Sequence, residues 1–188
     1  MSAPQTTVNT LYTAMPKALY SSLKHVRLLV CDVDGVFSDG RIYLGNAGEE
    51  LKAFHTRDGY GVKALVNSGA AVAVITGRRS AIVENRMKAL NVAHIVQGEE
   101  NKSDALAELM ARLSLKPKHV AVVGDDIPDT GMYPHANVRI AVKDAHPAVA
   151  QQANWITTLP GGYGAVREIC DTLLQANDKL HGIQGASI

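Results

Sequence analysis

The stretch VRLLVCDVDGV, residues 26–36, decides the reading of the whole chain. Residues 26–33 form an almost unbroken apolar run of strand length, the pattern of a parallel strand covered by helices on both faces. The run leaves the core through Asp32 and Asp34. Side chains two apart on a strand share a face, so both carboxylates point into one site while Val33 points away from it. Gly35 then allows a sharp turn with no Cβ penalty. A second stretch, VAVVGDDIPD at residues 120–129, ends a strand in the same manner. Carboxylates on loops at strand ends converge in the crevice beyond the carboxyl edge, where open parallel sheets bind ligands. Five aspartates there (Asp32, Asp34, Asp125, Asp126 and Asp129) would oppose one another's ionisation, and a divalent cation resolves the conflict.

Working outward, strand-like runs recur at 70–76, 92–96 and 138–142. Between them, residues 60–67, 81–90, 103–113 and a segment after Pro128 carry the apolar spacing of helices. This alternation predicts the α/β class, a Rossmann-like parallel sheet flanked by helices. Residues 41–54 break the pattern: RIYL, then the turn residues GNAG, then EELKAF read as a small β-hairpin inserted after the first strand. The expected organisation is an N-terminal extension over 1–25, one domain over 26–177 and a flexible C-terminal tail over 178–188.

At 188 residues the chain is long enough to bury one sizeable core, and its 46% apolar and 20% charged content is that of a globular protein. The net charge is +1. With no basic stripe interleaved with aromatics, no nucleic-acid partner is implied. No signal peptide or membrane-length apolar run is read, so a cytoplasmic protein with no membrane association is expected. Cys31 and Cys170 are isolated, as suits reduced thiols, and Cys31 reads as a small apolar strand residue.

The motifs between the two acidic stretches supply the rest of a phosphoryl-transfer site. A carboxylate pair spaced like Asp32 and Asp34 suits a nucleophile and a general acid/base acting on one phosphorus, although D-x-D alone also occurs as a solvated turn. Thr76 ends a strand, and its hydroxyl with nearby backbone N–H groups can hold a phosphoryl oxygen. Lys102 near a helix start can neutralise both the nucleophile and the transferring group; taken singly, it would read as a surface lysine. Asp125 and Asp126 offer oxygen ligands to a hard cation such as magnesium. Asp129 is read either as a helix-start carboxylate supporting the loop or as a direct ligand. His55, His94, His119 and His146 lack metal-ligand spacing, and Trp155 and Tyr163 read as packing residues.

The order DxDG at 32–35, threonine at 76, lysine at 102 and GDDxxD at 124–129 resembles the haloacid dehalogenase superfamily of phosphotransferases. Within it, DVDGV and SDG at 32–40, GEELKAF and RDG at 48–59, ITGR at 75–78, QG and NK at 97–102, VGDD at 123–126, DAHP at 144–147 and GG-GAVRE at 161–168 resemble the capless 3-deoxy-D-manno-octulosonate 8-phosphate phosphatases. The resemblance spans about residues 26–180. It implies a magnesium-dependent phosphatase in which Asp32 is phosphorylated and Asp34 protonates the leaving sugar oxygen, then activates water. It also implies magnesium held by the Asp32 carboxylate, the Asp34 carbonyl and Asp125, with Asp126 and Asp129 supporting from behind. The implied substrate is a small phosphorylated sugar acid on the route to lipopolysaccharide. Its anionic groups call for cations, and Arg57 and Arg78, with Gly77 beside them, stand next to matched motifs; Arg57 reads equally as a surface residue. Relatives form homotetramers in which a neighbour's hairpin closes each site, so a tetramer is expected. Three alternatives stay open: a phosphatase of a nine-carbon sugar-acid phosphate, a receiver-type phosphoacceptor domain, and a noncatalytic assembly protein. The early position of the phosphoacceptor candidate and the intact acidic set weigh against the last two.

Overall fold

The structure, a computed structural model, describes residues 6–180. In chain order its elements are β1 (Thr7–Asn9), β2 (Ala14–Pro16), α1 (Lys17–Leu23), β3 (Leu28–Cys31), β4 (Tyr43–Leu44), β5 (Glu50–Leu51), α2 (Thr56–Asn67), β6 (Ala71–Thr76), α3 (Ala81–Ala89), β7 (His94–Gln97), α4 (Lys102–Arg112), β8 (Val120–Gly124), β9 (Val138–Ala141), α5 (Pro147–Ala150), β10 (Trp155–Ile156) and α6 (Ala165–Ala176). Six strands pair in the order β10-β9-β8-β3-β6-β7, with every pairing parallel. The expected Rossmann-like sheet is therefore present.

All four residues of β3 are fully buried, because the strand lies at the centre and both faces are covered. Leu29 and Cys31 pack with α2 and α6 residues such as Val62, Ile169 and Leu173 on one face. Leu28 and Val30 pack with Leu106, Leu109 and Met132 on the other. Each such aliphatic side chain stabilises the fold by roughly 1.5–3 kcal/mol on transfer from water. Register then sets the site: Leu28 aligns with Ala71 and Val120, and Cys31 with Val74 and Val123. Three strands consequently release their next residues at one edge.

The hairpin after β3 forms as expected, with β4 and β5 antiparallel and Gly48 taking φ +89° in its turn. Two expectations are corrected. The segment after Pro128 is a 3₁₀ run, Ile127–His135, because Pro134 interrupts it and Asp126 and Asp129 tighten its first turn. The sequence reading also places no element before residue 26, whereas β1 and β2 form an antiparallel ribbon leading into α1. Three-residue strands show no period; the ribbon is tied by tertiary bonds, Tyr12 Oη donating to Asp171 Oδ2 at 2.8 Å and Leu11 N–H to Gln175 Oε1 at 3.1 Å. No helix among the described residues is long and apolar enough to cross a membrane.

Candidate active site

Asp32 follows β3 directly, and its backbone N–H still donates to Val123 O on β8 at 3.1 Å, so it leaves the sheet with no slack. Thr76 ends β6, and Gly124 ends β8 just before Asp125. Lys102 is the first residue of α4, capped by Asn101, whose Oδ1 accepts Asp104 N–H. A lysine at a helix N-terminus opposes the helix dipole. Its ammonium turns inward instead, donating at 2.7 Å to both Asp32 Oδ1 and Asp129 Oδ1. All three side chains are almost wholly buried.

One ammonium is thus shared by two carboxylates, with a third beside them. Oxygens of Asp32, Asp125 and Asp129 all lie within 4.8 Å of one another. Burial, the nearby Asp129, Asp32 and Asp126 push Asp125 up to about 8, with Lys102 offsetting only part. Burial and Asp129 outweigh Lys102 at Asp32, which rises to about 6 despite its ion pair. Burial would lower Lys102, but Asp32 and Asp129 raise it on balance, so it stays a cation. The cluster remains short of positive charge. Carboxylate oxygens at this spacing suit a hard divalent ion.

Asp129 divides its oxygens: Oδ1 takes Lys102, while Oδ2 accepts the N–H groups of Asp125 (2.9 Å) and Asp126 (3.2 Å). Of its two sequence readings, the geometry therefore favours the loop-supporting one. Asp126 is exposed and accepts Ile127 N–H at 2.8 Å. Asp34, Thr76, Gly77 and Arg78 line the same crevice of about 330 Å³ with Asp32, Lys102 and Asp125. Arg78 Nε stands 3.9 Å from Asp34 Oδ2. Arg57 is exposed on the first turn of α2 and does not line the crevice. A hollow of about 390 Å³ lies at the other end of the sheet, beside Arg27 and Ala71, but no carboxylate lines it.

Several residues left without a role in the sequence reading hold these loops. Gln97 Oε1 accepts Ser80 N–H at 2.8 Å, and Glu99 N–H donates to Thr76 O, so the QG and NK stretch braces the Thr76 loop. His146 N–H donates to Asp125 O at 2.7 Å, and Asp144 Oδ1 accepts Gly161 N–H at 2.9 Å. The fully buried Glu168 accepts the N–H groups of Thr158 and Leu159. Lys52, at the foot of the hairpin, donates to Asp34 Oδ1 and is the residue the sequence reading misses. Its lysine–aspartate pairing spans eighteen positions and leaves no local pattern. His55 and His146 cap helices, in keeping with structural roles. Cys31 and Cys170 are buried and burial pushes both thiols up, so neither is poised as a nucleophile. Trp155 is buried, but Tyr163 is 54% exposed, turned outward between Gly162 and Gly164, which both take positive φ.

Comparison with known proteins agrees with this arrangement. The profile of haloacid dehalogenase-like hydrolases matches residues 88–169. The 3-deoxy-D-manno-octulosonate 8-phosphate phosphatase of Yersinia pestis is 46% identical over 181 residues, covering 96% of this chain and 97% of that protein. The chain belongs to the 3-deoxy-D-manno-octulosonate 8-phosphate phosphatase family. A solved structure from this family, also from Yersinia pestis, superposes with a TM-score of 0.95 at 46% identity, covering 98% of this chain and all of that one. Another, from Moraxella catarrhalis, was solved in complex with a magnesium ion, a phosphate ion and a KDO molecule; it is 41% identical with a TM-score of 0.86, covering 88% of this chain and 95% of that one. As in its family, the chain is a haloacid dehalogenase-like hydrolase, and its acidic crevice is where such an enzyme needs its cation.

Proposed function

We propose that the protein is a magnesium-dependent phosphatase that hydrolyses 3-deoxy-D-manno-octulosonate 8-phosphate in the cytoplasm, supplying the free sugar acid for lipopolysaccharide synthesis. The observation that carries the reading is Lys102 bridging Asp32 and Asp129 beside Asp125, in a chain 46% identical to a phosphatase of that name. Asp32, the Asp34 carbonyl and Asp125 would hold magnesium. When bound, the ion screens the anionic nucleophile from the anionic phosphate and polarises the phosphoryl oxygens.

The chain's own residues do the remaining work. Asp32 attacks phosphorus through a carboxylate oxygen. As the P–O bond to the sugar breaks, its electron pair moves to the sugar oxygen, and protonated Asp34 supplies the proton that yields the alcohol. The products of this half are the sugar acid, a phosphorylated Asp32 and an ionised Asp34. Asp34 then takes a proton from water as that water attacks the phosphorus. Inorganic phosphate leaves, Asp32 is regenerated and Asp34 is again protonated. Lys102 holds Asp32 in line, Thr76 and the Gly77 N–H bind phosphoryl oxygens, and Arg78 meets the substrate carboxylate at the rim.

The test is a panel of phosphorylated sugars and sugar acids, assayed with magnesium and with excess chelator. Turnover should be greatest on the octulosonate phosphate and vanish with chelator. Faster turnover of a nine-carbon sugar-acid phosphate would move the assignment to that substrate, and full activity in chelator would remove the metal from the mechanism.

A further inference from the structure

Lys52 follows β5 on a hairpin that exposes Tyr43, Leu44 and Leu51, yet its own side chain is wholly buried. Burying an ammonium is costly unless anions meet it. Two do: Asp34 Oδ1 accepts its hydrogen bond, and Glu50 Oε1 stands 3.6 Å away. Glu50 and Lys52 are two residues apart in extended chain and so face the same way. Glu50 Oε1 is buried with no hydrogen-bond partner, leaving the lysine charge as its compensation. Ser38 Oγ also reaches Asp34 Oδ1, at 3.4 Å. Asp34 Oδ2, by contrast, accepts no hydrogen bond among the described residues and faces the crevice mouth toward Arg78. One oxygen is tied down and the other is left for chemistry.

We infer that Lys52 is a positioning residue for Asp34: from the hairpin it pins Oδ1, so that Oδ2 is the oxygen that gives its proton to the leaving sugar oxygen and then takes one from water. The inference rests on the acid–base role proposed above for Asp34. Without Lys52 the carboxyl group is free to rotate and to exchange its oxygens, and misplacement of a proton donor by an ångström costs on the order of 100-fold.

A leaving-group comparison separates this role from a structural one. The parameter kcat/KM reads the half-reaction that ends with departure of the leaving group. A sugar alkoxide needs the Asp34 proton; p-nitrophenolate leaves without it. Lys52→Met should therefore lose about 100-fold in kcat/KM on 3-deoxy-D-manno-octulosonate 8-phosphate, and at least about tenfold less than that on p-nitrophenyl phosphate. Lys52→Arg, which keeps a charged donor, should restore most of the loss. Should Lys52→Met fail to fold, as judged by its thermal melt, Lys52→Gln takes its place. Equal losses on the two substrates in a folded variant, or a selective loss that Leu44→Glu on the same hairpin matches in size, would make Lys52 merely structural, and wild-type values on both would dismiss it; any of these results overturns the inference. If the wild-type protein ignores the octulosonate phosphate but cleaves arabinose 5-phosphate, the substrate assignment fails alone, and the same comparison is made with that alkyl ester.

Discussion

Asp32 and Asp129 compete for one lysine, and that competition fixes what substitution at Asp32 should do. Asp32 is buried and held near 6 by burial and Asp129, so its charge is a burden on the fold. Asp32→Asn keeps the shape, leaves Lys102 to Asp129 and removes one of the crowded charges. It should abolish turnover, since an amide cannot attack phosphorus, while the melting temperature without magnesium stays the same or rises. Activity close to wild type would refute the covalent route. Asp34→Asn should lower kcat on the sugar phosphate by on the order of 10²–10⁴-fold through loss of proton transfer, with the fold unchanged by circular dichroism. These carboxylates were legible in the sequence because strand alternation and the glycines after them leave short-range signatures. Lys52 was not, because it meets Asp34 only once the hairpin folds back.

At the scale of elements, the central strands could be read to within two residues, since complete burial demands unbroken apolar runs, whereas α6 went unnamed behind its GG-GAVRE motif. Its apolar stripe, Val166, Ile169, Cys170, Leu173 and Leu174, is helical in spacing and fully consistent with its burial. The loop before it has a definite task. A Cβ at Gly161 would fall on the Gly35 carbonyl, and the Gly35 turn, at φ +91°, carries Asp34. Gly161→Ala should therefore cost about 1–3 kcal/mol of stability, measurable by urea unfolding, and a larger proportion of activity; a fully active variant would show that the two loops move independently. The α2–α6 contact makes a pH prediction. Asp58 Oδ1 accepts Arg167 N–H at 2.7 Å, but Oδ2 is buried without a partner, and burial raises the group to about 6 against the hydrogen bonds that lower it. The native state thus holds this proton more tightly than the unfolded chain does. Its contribution is complete below about pH 4 and is lost as pH rises through 6, a fall of roughly 2–3 kcal/mol. Asp58→Asn keeps the Oδ1 acceptor and removes the titration. Its stability relative to wild type should improve by that amount between pH 4 and 7; parallel curves would show that Asp58 is not shifted.

At the scale of the whole molecule, the hairpin leaves Tyr43, Leu44 and Leu51 at 51%, 74% and 63% exposure on one short ribbon. A two-stranded hairpin is marginal by itself, and an apolar cluster of this kind on a monomer calls for a covering surface. Lys52 binds the foot of the ribbon to its own site, while the tip projects beyond it, free to meet another copy. The crevice is open at that side, with Arg78 half-exposed at its rim, and a capless phosphatase must exclude water by some other surface. We therefore expect a homotetramer in which the hairpin tips pack together and each closes a neighbour's crevice. Light scattering should report four copies. Leu44→Glu should dissociate the assembly and raise KM for the sugar phosphate, while p-nitrophenyl phosphate, which needs little enclosure, loses less. Residues 181–188 lie outside the described structure; if the tail at 185–188 reaches an adjacent site, deletion of 181–188 should change turnover without lowering the melting temperature, and unchanged kinetics would leave the tail without a role. A monomeric wild-type protein with full activity would end the shared-site idea, because every residue the chemistry needs would then be supplied, and sufficiently enclosed, by one chain.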